Sequence, residues 1–243
     1  MLPDRNDRNN RVCPVERAGI LDHRIRRWFQ DPRKILRPYI EEGMTVLDIG
    51  CGPGFFSVDM AQRVGRSGRV IVSDLQEGML QKLRNKIQGT ELEERITFHP
   101  CEEDRVGVSV NVDFVLAFYM VHEVPNPKEF FKEIKSILKS NGQVLVVEPP
   151  FRVSKKAFEE TIRKAREAGL KPVEGPKVLL SKTVTFKGEN ETVLAFIPLH
   201  DVSRILCGLF LIVRLSSYLS RDHTFGKRKE GIEPKLSVAS SIN

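Results

Sequence analysis

The run Val46 to Phe55, Val-Leu-Asp-Ile-Gly-Cys-Gly-Pro-Gly-Phe, joins an acid to three glycines at alternate positions. An apolar strand over Thr45 to Ile49 feeds Gly50, Gly52 and Gly54, and Asp48 stands just before them. Such a turn lets a ligand lie against bare backbone, because a Cβ at any of the three would occupy its space. The spacing selects among ligands. A dinucleotide fingerprint keeps two residues between its second and third glycines and opens a helix onto a pyrophosphate. Here one residue separates Gly52 from Gly54, and Phe55 fills the place of the third dinucleotide glycine. Asp48 would be poorly placed beside a phosphate. It suits a ligand that presents an ammonium group.

Three further positions carry chemistry, each at the end of an expected strand. Asp74 follows the second strand, about 20 residues past the glycines, where an acid reaches a ribose diol. Cys101-Glu102-Glu103-Asp104 follows the third. Ala117-Phe118-Tyr119-Met120-Val121-His122-Glu123 follows the fourth. His122 could act as a base or orient a substrate, since an imidazole titrates near neutral pH. The competing reading is a histidine bonded to backbone at a helix start. Phe118 and Tyr119 read as pocket walls.

The glycine run, Asp74 and the order of these segments resemble the class I methyltransferases dependent on S-adenosylmethionine (SAM). The resemblance covers about residues 31–187. It is closest to the small-molecule group that includes the ubiquinone/menaquinone C-methyltransferases. It implies that SAM binds through Asp48, Gly50, Cys51, Gly52, Gly54, Asp74, Leu75, Cys101, Glu102, Ala117 and Phe118, leaving S-adenosylhomocysteine as product. Within that set, Asp48 would face the ammonium of the methionine part, Asp74 the ribose, and Leu75 the adenine. The family's usual Asp-Ala pair after strand three is missing. Cys101 stands in its place and accepts hydrogen bonds only weakly, so adenine recognition would fall to the Glu102 backbone N–H, with the side-chain acceptor open among Glu102, Glu103 and Asp104. The Asn/Asp-Pro-Pro-aromatic run of enzymes that methylate planar amines in DNA or glutamine is absent. His122 is the candidate catalytic residue. Methyl transfer needs little acid–base chemistry, because the sulfonium is already activated and alignment supplies most of the rate.

The elements that must hold these residues alternate regularly. Strands are expected at Thr45 to Ile49, Arg69 to Ser73, Ile96 to Phe98, Val112 to Phe118 and Gln143 to Val147, with two more within Val173 to Phe186. Helices lie between them. Asn126-Pro127 caps one whose inward residues are Phe130, Phe131, Ile134 and Leu138, and Ser154 caps another. The pattern predicts an α/β, Rossmann-like fold, a mostly parallel seven-stranded sheet flanked by helices. An N-terminal helical cap precedes it. One cap helix runs from Leu21, with Leu21, Ile25, Trp28 and Phe29 on its apolar face and Arg24, Arg26 and Arg27 largely on the other. A second begins at Asp31-Pro32. Arg17, Trp28 or Arg27 could face substrate. The expected divisions are a flexible 1–12, the cap at 13–43, the SAM-binding domain at 44–188 and an extension at 189–243. In that extension the apolar stretch Ile205 to Val213 is too short to span a membrane, and the polar end reads as disordered.

Composition removes several classes. With 40% hydrophobic and 29% charged residues the chain is neither disordered nor a membrane protein. Its net charge of +7 is concentrated early, with ten Lys/Arg against five Asp/Glu in residues 1–39. Four separated cysteines with no Cys-x-x-Cys pair argue against a metal site or disulfide framework and for a reducing cytoplasm. The polar N-terminus lacks the apolar h-region of a secretory signal. A small-molecule acceptor is the expected partner, nucleic acid is disfavoured, and a homodimer is open. An RNA methyltransferase, suggested by the basic start, and a non-catalytic SAM-binding partner protein are the rivals. A NAD-dependent oxidoreductase fits the glycine spacing less well. Metalloid chemistry of the arsenite-methylating kind needs several cysteine ligands, and Cys51 alone lies in a comparable motif.

Overall fold

The computed structural model describes residues 26–188. Expectations for 1–12, for Arg17, Leu21, Arg24 and Ile25, and for the extension 189–243 lie outside the described residues. Seven strands form one sheet: β1 (Thr45–Ile49), β2 (Arg69–Asp74), β3 (Ile96–Pro100), β4 (Val112–Phe118), β5 (Leu138–Glu148), β6 (Leu170–Glu174) and β7 (Lys182–Gly188). Their spatial order is β3-β2-β1-β4-β5-β7-β6. The first five pair in parallel, and β7 runs antiparallel between β5 and β6.

The inner strands are apolar on both faces because both faces are covered. Val46, Val70, Phe114, Leu116 and Leu145 meet Leu36, Ile40, Met60, Leu80 and Leu83 on one side. On the other, Leu47, Ile71, Val115, Ala117 and Val144 meet Phe130, Phe131, Ile134 and Ala165. Near-continuous apolar runs are what a parallel sheet between two helical layers requires. The helices are α1 (Arg26–Phe29), α2 (Pro32–Leu36), α3 (Ser57–Val64), α4 (Glu77–Ile87), α5 (Pro127–Ile137) and α6 (Lys155–Glu167). Asp31, Asn126 and Ser154 cap α2, α5 and α6 by accepting from the N–H of Arg33, Glu129 and Ala157. Proline follows the first two caps, where its missing donor costs nothing.

Two local expectations change. Leu138, expected on the inward face of a helix, instead opens β5, which therefore starts well before Gln143. The pairing with β4 shifts between Val112 and Phe114 to take up the added length. The second change is in α1, where the expected faces are reversed. Trp28 is 89% exposed and Phe29 56% exposed. Arg26 instead lays its guanidinium 4.3 Å from the Phe55 ring centroid, and Arg27 pairs with the buried Asp59 at 2.6 Å. Guanidinium stems and cations pack well on aromatic faces, so arginine can be the side of a short helix that faces the protein.

Phe131 tests the second helical layer. It is fully buried and packs edge-on against Phe130 and obliquely against Phe186. Phe131→Ala should cost about 3–5 kcal/mol, seen as a lower urea midpoint at an unchanged m-value.

Candidate active site

Chain order creates a crevice. From β1 the chain moves outward to β2 and β3, then returns to place β4 on β1's other side. At such a reversal the loops leaving the carboxyl ends diverge, and ligands bind between them. A cleft with about 1170 Å³ of open space lies there.

The glycine loop forms one wall. Gly50, Gly52 and Gly54 have φ of 66°, 54° and 83°, a region that strains other residues. Gly50 and Cys51 donate their N–H groups to Ser73 O at 2.8 and 3.1 Å, tying the loop to β2. Gly54 has a structural reason in place of the expected ligand contact. A Cβ there would sit 2.2 Å from Leu83 Cδ1, so glycine allows α4 to pack under the loop. A Cβ on Gly50 would meet Met120 Cβ at 2.9 Å.

Two acids lie beside the loop. Asp74 takes the Gly52 N–H on one oxygen at 2.8 Å and the Gln76 N–H on the other at 2.9 Å. Burial raises its pKa, and these bonds oppose the rise. Asp48 is 2% exposed and accepts from Ser57 Oγ at 2.6 Å. Burial raises it to about 7, with Asp74 adding to the rise and Ser57 and Arg26 opposing it. Desolvation is the leading cause for both, because a carboxylate loses most of its hydration at these depths.

The remaining wall is apolar. Phe55, Phe56, Leu75, Phe118, Tyr119, Met120 and Val124 line the cleft, with Cys51, Cys101, Glu102, Glu103 and Arg26 among them. Burial pushes the Cys51 and Cys101 thiols up, so both are protonated thiols and not ready nucleophiles. Tyr119 has a φ of 61°. Its hydroxyl accepts from Gln30 Nε2 at 2.5 Å and shares a hydrogen bond with Ser181 Oγ at 2.6 Å. These contacts hold a strained residue at the mouth, where strain tends to mark function.

Of the expected cofactor residues, Asp48, Gly50, Cys51, Gly52, Asp74, Leu75, Cys101, Glu102 and Phe118 line this one cleft. Gly54 lies behind the loop. Ala117 is a correction: strand alternation turns its side chain into the opposite helical layer, while Phe118 takes the cleft side. His122 is another. Its Nδ1 is 2.7 Å from Glu148 Oε2 and its backbone N–H donates to Glu148 Oε1 at 3.0 Å, behind the cleft wall. The next residue, Glu123, lines the cleft instead. Burial raises its carboxyl to about 7; His122 and Arg152 oppose the rise, while Asp74 and Glu148 reinforce it. Glu123 and Arg26 are the functional candidates missed from sequence. Glu123 had a signal, its place beside His122 in a short turn. Arg26 had none, since apolar periodicity pointed the other way. Among the described residues no cluster of three or more His, Cys, Asp and Glu could hold a metal ion, and no helix is long and apolar enough to cross a membrane.

Gly54→Ala should destabilise the fold, through its positive φ and the overlap with Leu83, by at least about 1 kcal/mol in a urea titration. Asp48 gives a pH test. Folded Asp48 keeps its proton up to about pH 7, while the unfolded carboxyl releases it near pH ~4. The native state thus binds the extra proton across that window, and stability falls as pH rises through it. Asp48→Asn should flatten that part of a urea-midpoint-against-pH curve.

Known proteins are similar to this chain in sequence and in fold. Demethylmenaquinone methyltransferase of Lactococcus lactis subsp. lactis is 32% identical over 121 residues, covering 48% of this chain and 48% of that protein. That of Listeria monocytogenes serotype 4b is 26% identical over 122 residues, 50% and 51% of the two chains. The chain thus spans about half the length of the curated relatives it matches. A SAM-dependent methyltransferase from Aquifex aeolicus superposes with a TM-score of 0.63 at 25% identity, over 72% of this chain and 97% of that one. The putative methyltransferase bound to Haloferax volcanii Trm112 shares the fold alone, with a TM-score of 0.60 at 16% identity, over 78% and 100%. Residues 40–188, more than half of the chain, match the methyltransferase domain model, and the chain belongs to that family.

Proposed function

We propose that this protein transfers a methyl group from SAM to a small-molecule acceptor. One observation carries the reading. Asp48, the Gly50–Gly52 backbone, Asp74, Leu75 and Cys101 converge on one cleft at the sheet's reversal point. The bound cofactor would supply a methyl group on a positively charged sulfur. The residues suit it chemically. Asp48 is a buried acid open to the cleft, and a ligand ammonium would supply the countercharge that its depth lacks. Each Asp74 oxygen already accepts one backbone N–H and keeps a second acceptor site for a ribose hydroxyl. Leu75 and the Cys101–Glu102 loop flank the space for an adenine ring. Phe55, Phe56, Phe118 and Tyr119 exclude water and bind an apolar acceptor body.

The relatives named demethylmenaquinone methyltransferase support a small-molecule acceptor. So does α1. Arg26 lies over aromatic rings and Arg27 is paired with Asp59, so both guanidiniums already have partners within the protein. A cytoplasmic setting is part of the proposal, supported by the separated cysteines.

Calorimetry should detect binding of S-adenosylhomocysteine and none of NAD; the reverse would overturn the reading. Because a ligand ammonium favours ionised Asp48, affinity should fall below pH 7 by up to about tenfold per pH unit. Asp48→Asn should weaken binding and remove that dependence. Asp74→Ala should cost about 1–3 kcal/mol of affinity.

A further inference from the structure

Glu148, His122 and Glu123 form a line from the buried sheet to the cleft. Glu148 ends β5 with no exposed surface. Its two oxygens take the His122 backbone N–H at 3.0 Å and face the ring Nδ1 at 2.7 Å. A carboxylate on Nδ1 fixes the tautomer with the proton there, leaving Nε2 as the acceptor end of a neutral ring. Nε2 is buried and has no hydrogen-bond partner. The nearest acid is Glu123, whose Oε1 lies 3.8 Å away. Glu123 lines the cleft among Phe118, Tyr119, Met120 and Val124.

A buried nitrogen without a partner carries a desolvation cost that a fold retains where the atom has a use. Here its use follows from its neighbour. A small side-chain rotation closes 3.8 Å to hydrogen-bond distance, and the pair then holds one proton in either of two places. The proton sits on Glu123 facing a neutral ring, or on Nε2 as an imidazolium held between two carboxylates. The groups facing Glu123 are His122 on its own turn, Arg152 at 3.7 Å, Glu148 from β5 and Asp74 from β2. Burial raises its carboxyl most, the two acids add to the rise and His122 and Arg152 oppose it, so its proton leaves at about pH 7.

We infer that Glu123 is the proton-accepting catalytic residue of this cleft, with His122 and Glu148 as positioning residues that carry the proton away. This rests on the methyltransferase reading and narrows its acceptor to molecules whose attacking atom gains its electron pair by losing a proton, such as a ring hydroxyl. The acceptor's O–H bond breaks with its electrons left on oxygen. The proton passes to Glu123, which becomes the neutral acid, and on to His122 Nε2, which becomes an imidazolium against Glu148.

The test is side-chain NMR on protein labelled in glutamate carboxyl carbon and histidine nitrogen, saturated with S-adenosylhomocysteine. Glu123 should titrate near pH 7, and that step should be visible at the His122 ring nitrogens. In Glu123→Gln that step should vanish from the His122 nitrogens, and in Glu148→Gln the nitrogen signals should no longer report a fixed Nδ1–H tautomer. Both variants should keep S-adenosylhomocysteine affinity within about threefold, which distinguishes loss of coupling from loss of fold. A Glu123 that titrates near pH ~4 in the wild type, or a His122 curve unchanged by Glu123→Gln, overturns the inference while leaving the cofactor reading intact. A wild-type protein that binds no S-adenosylhomocysteine removes both. If a variant does not fold, the wild-type titration decides alone.

Discussion

The carboxylate of Asp74 holds two stretches of chain at once, the glycine loop through Gly52 and the start of α4 through Gln76. The loop is also fastened by N–H bonds from Gly50 and Cys51 to Ser73 O, in the same strand, and by Lys86 Nζ, which donates to Pro53 O at 2.7 Å. A turn made of left-handed residues has no ladder of its own, and its shape must come from such external bonds. The cleft's floor, its mouth and the seat of α4 on Leu83 therefore depend on the end of β2. A ligand hydroxyl that reached Asp74 would join a bonded network already in place, and would bind a surface that needs little reordering.

The same few strand ends gather acids. Asp48, Asp74, Glu123 and Glu148 lie at the carboxyl ends of β1, β2, β4 and β5, and each is largely or wholly withdrawn from water. Burial raises the carboxyls of Asp48, Asp74 and Glu123, and neighbouring acids add to the rise at Asp48 and Glu123. Arg26, Arg152 and His122 offset the field only in part. A concave site of this kind prefers cations and repels phosphates. This separates it from a dinucleotide site more firmly than glycine spacing does.

Much of this was legible. The period-two and continuous apolar runs marked β1, β2 and β4 because burial on both faces leaves no other composition. Asp31-Pro32, Asn126-Pro127 and Ser154 marked helix starts because capping chemistry is local. The strand-end rule gathered Asp48, Asp74 and Cys101 without any knowledge of contacts, and the family resemblance added Leu75. What stayed hidden depends on direction. In the short turn at Val121–Glu123, adjacent side chains diverge by about a third of a revolution, so His122 points to Glu148 while Glu123 takes the cleft. Phe118 and Ala117 were separated by strand parity, which needs the sheet's orientation. Gly54 answers to Leu83, a residue far along the chain. In α1 a correct amphipathic pattern gave the wrong face, because four residues bury too little apolar surface to outweigh a guanidinium on an aromatic wall.

That inverted helix gives the molecule a built-in optical reporter. Trp28 is the chain's one tryptophan, and it stands in solvent two residues from the arginine that lies over the cleft's aromatic rings. Its emission is therefore that of a hydrated indole, undiluted by any buried partner. A ligand or partner that covered this face of α1 would take the indole out of water and shift its emission to the blue, so native fluorescence can report on that face without a label.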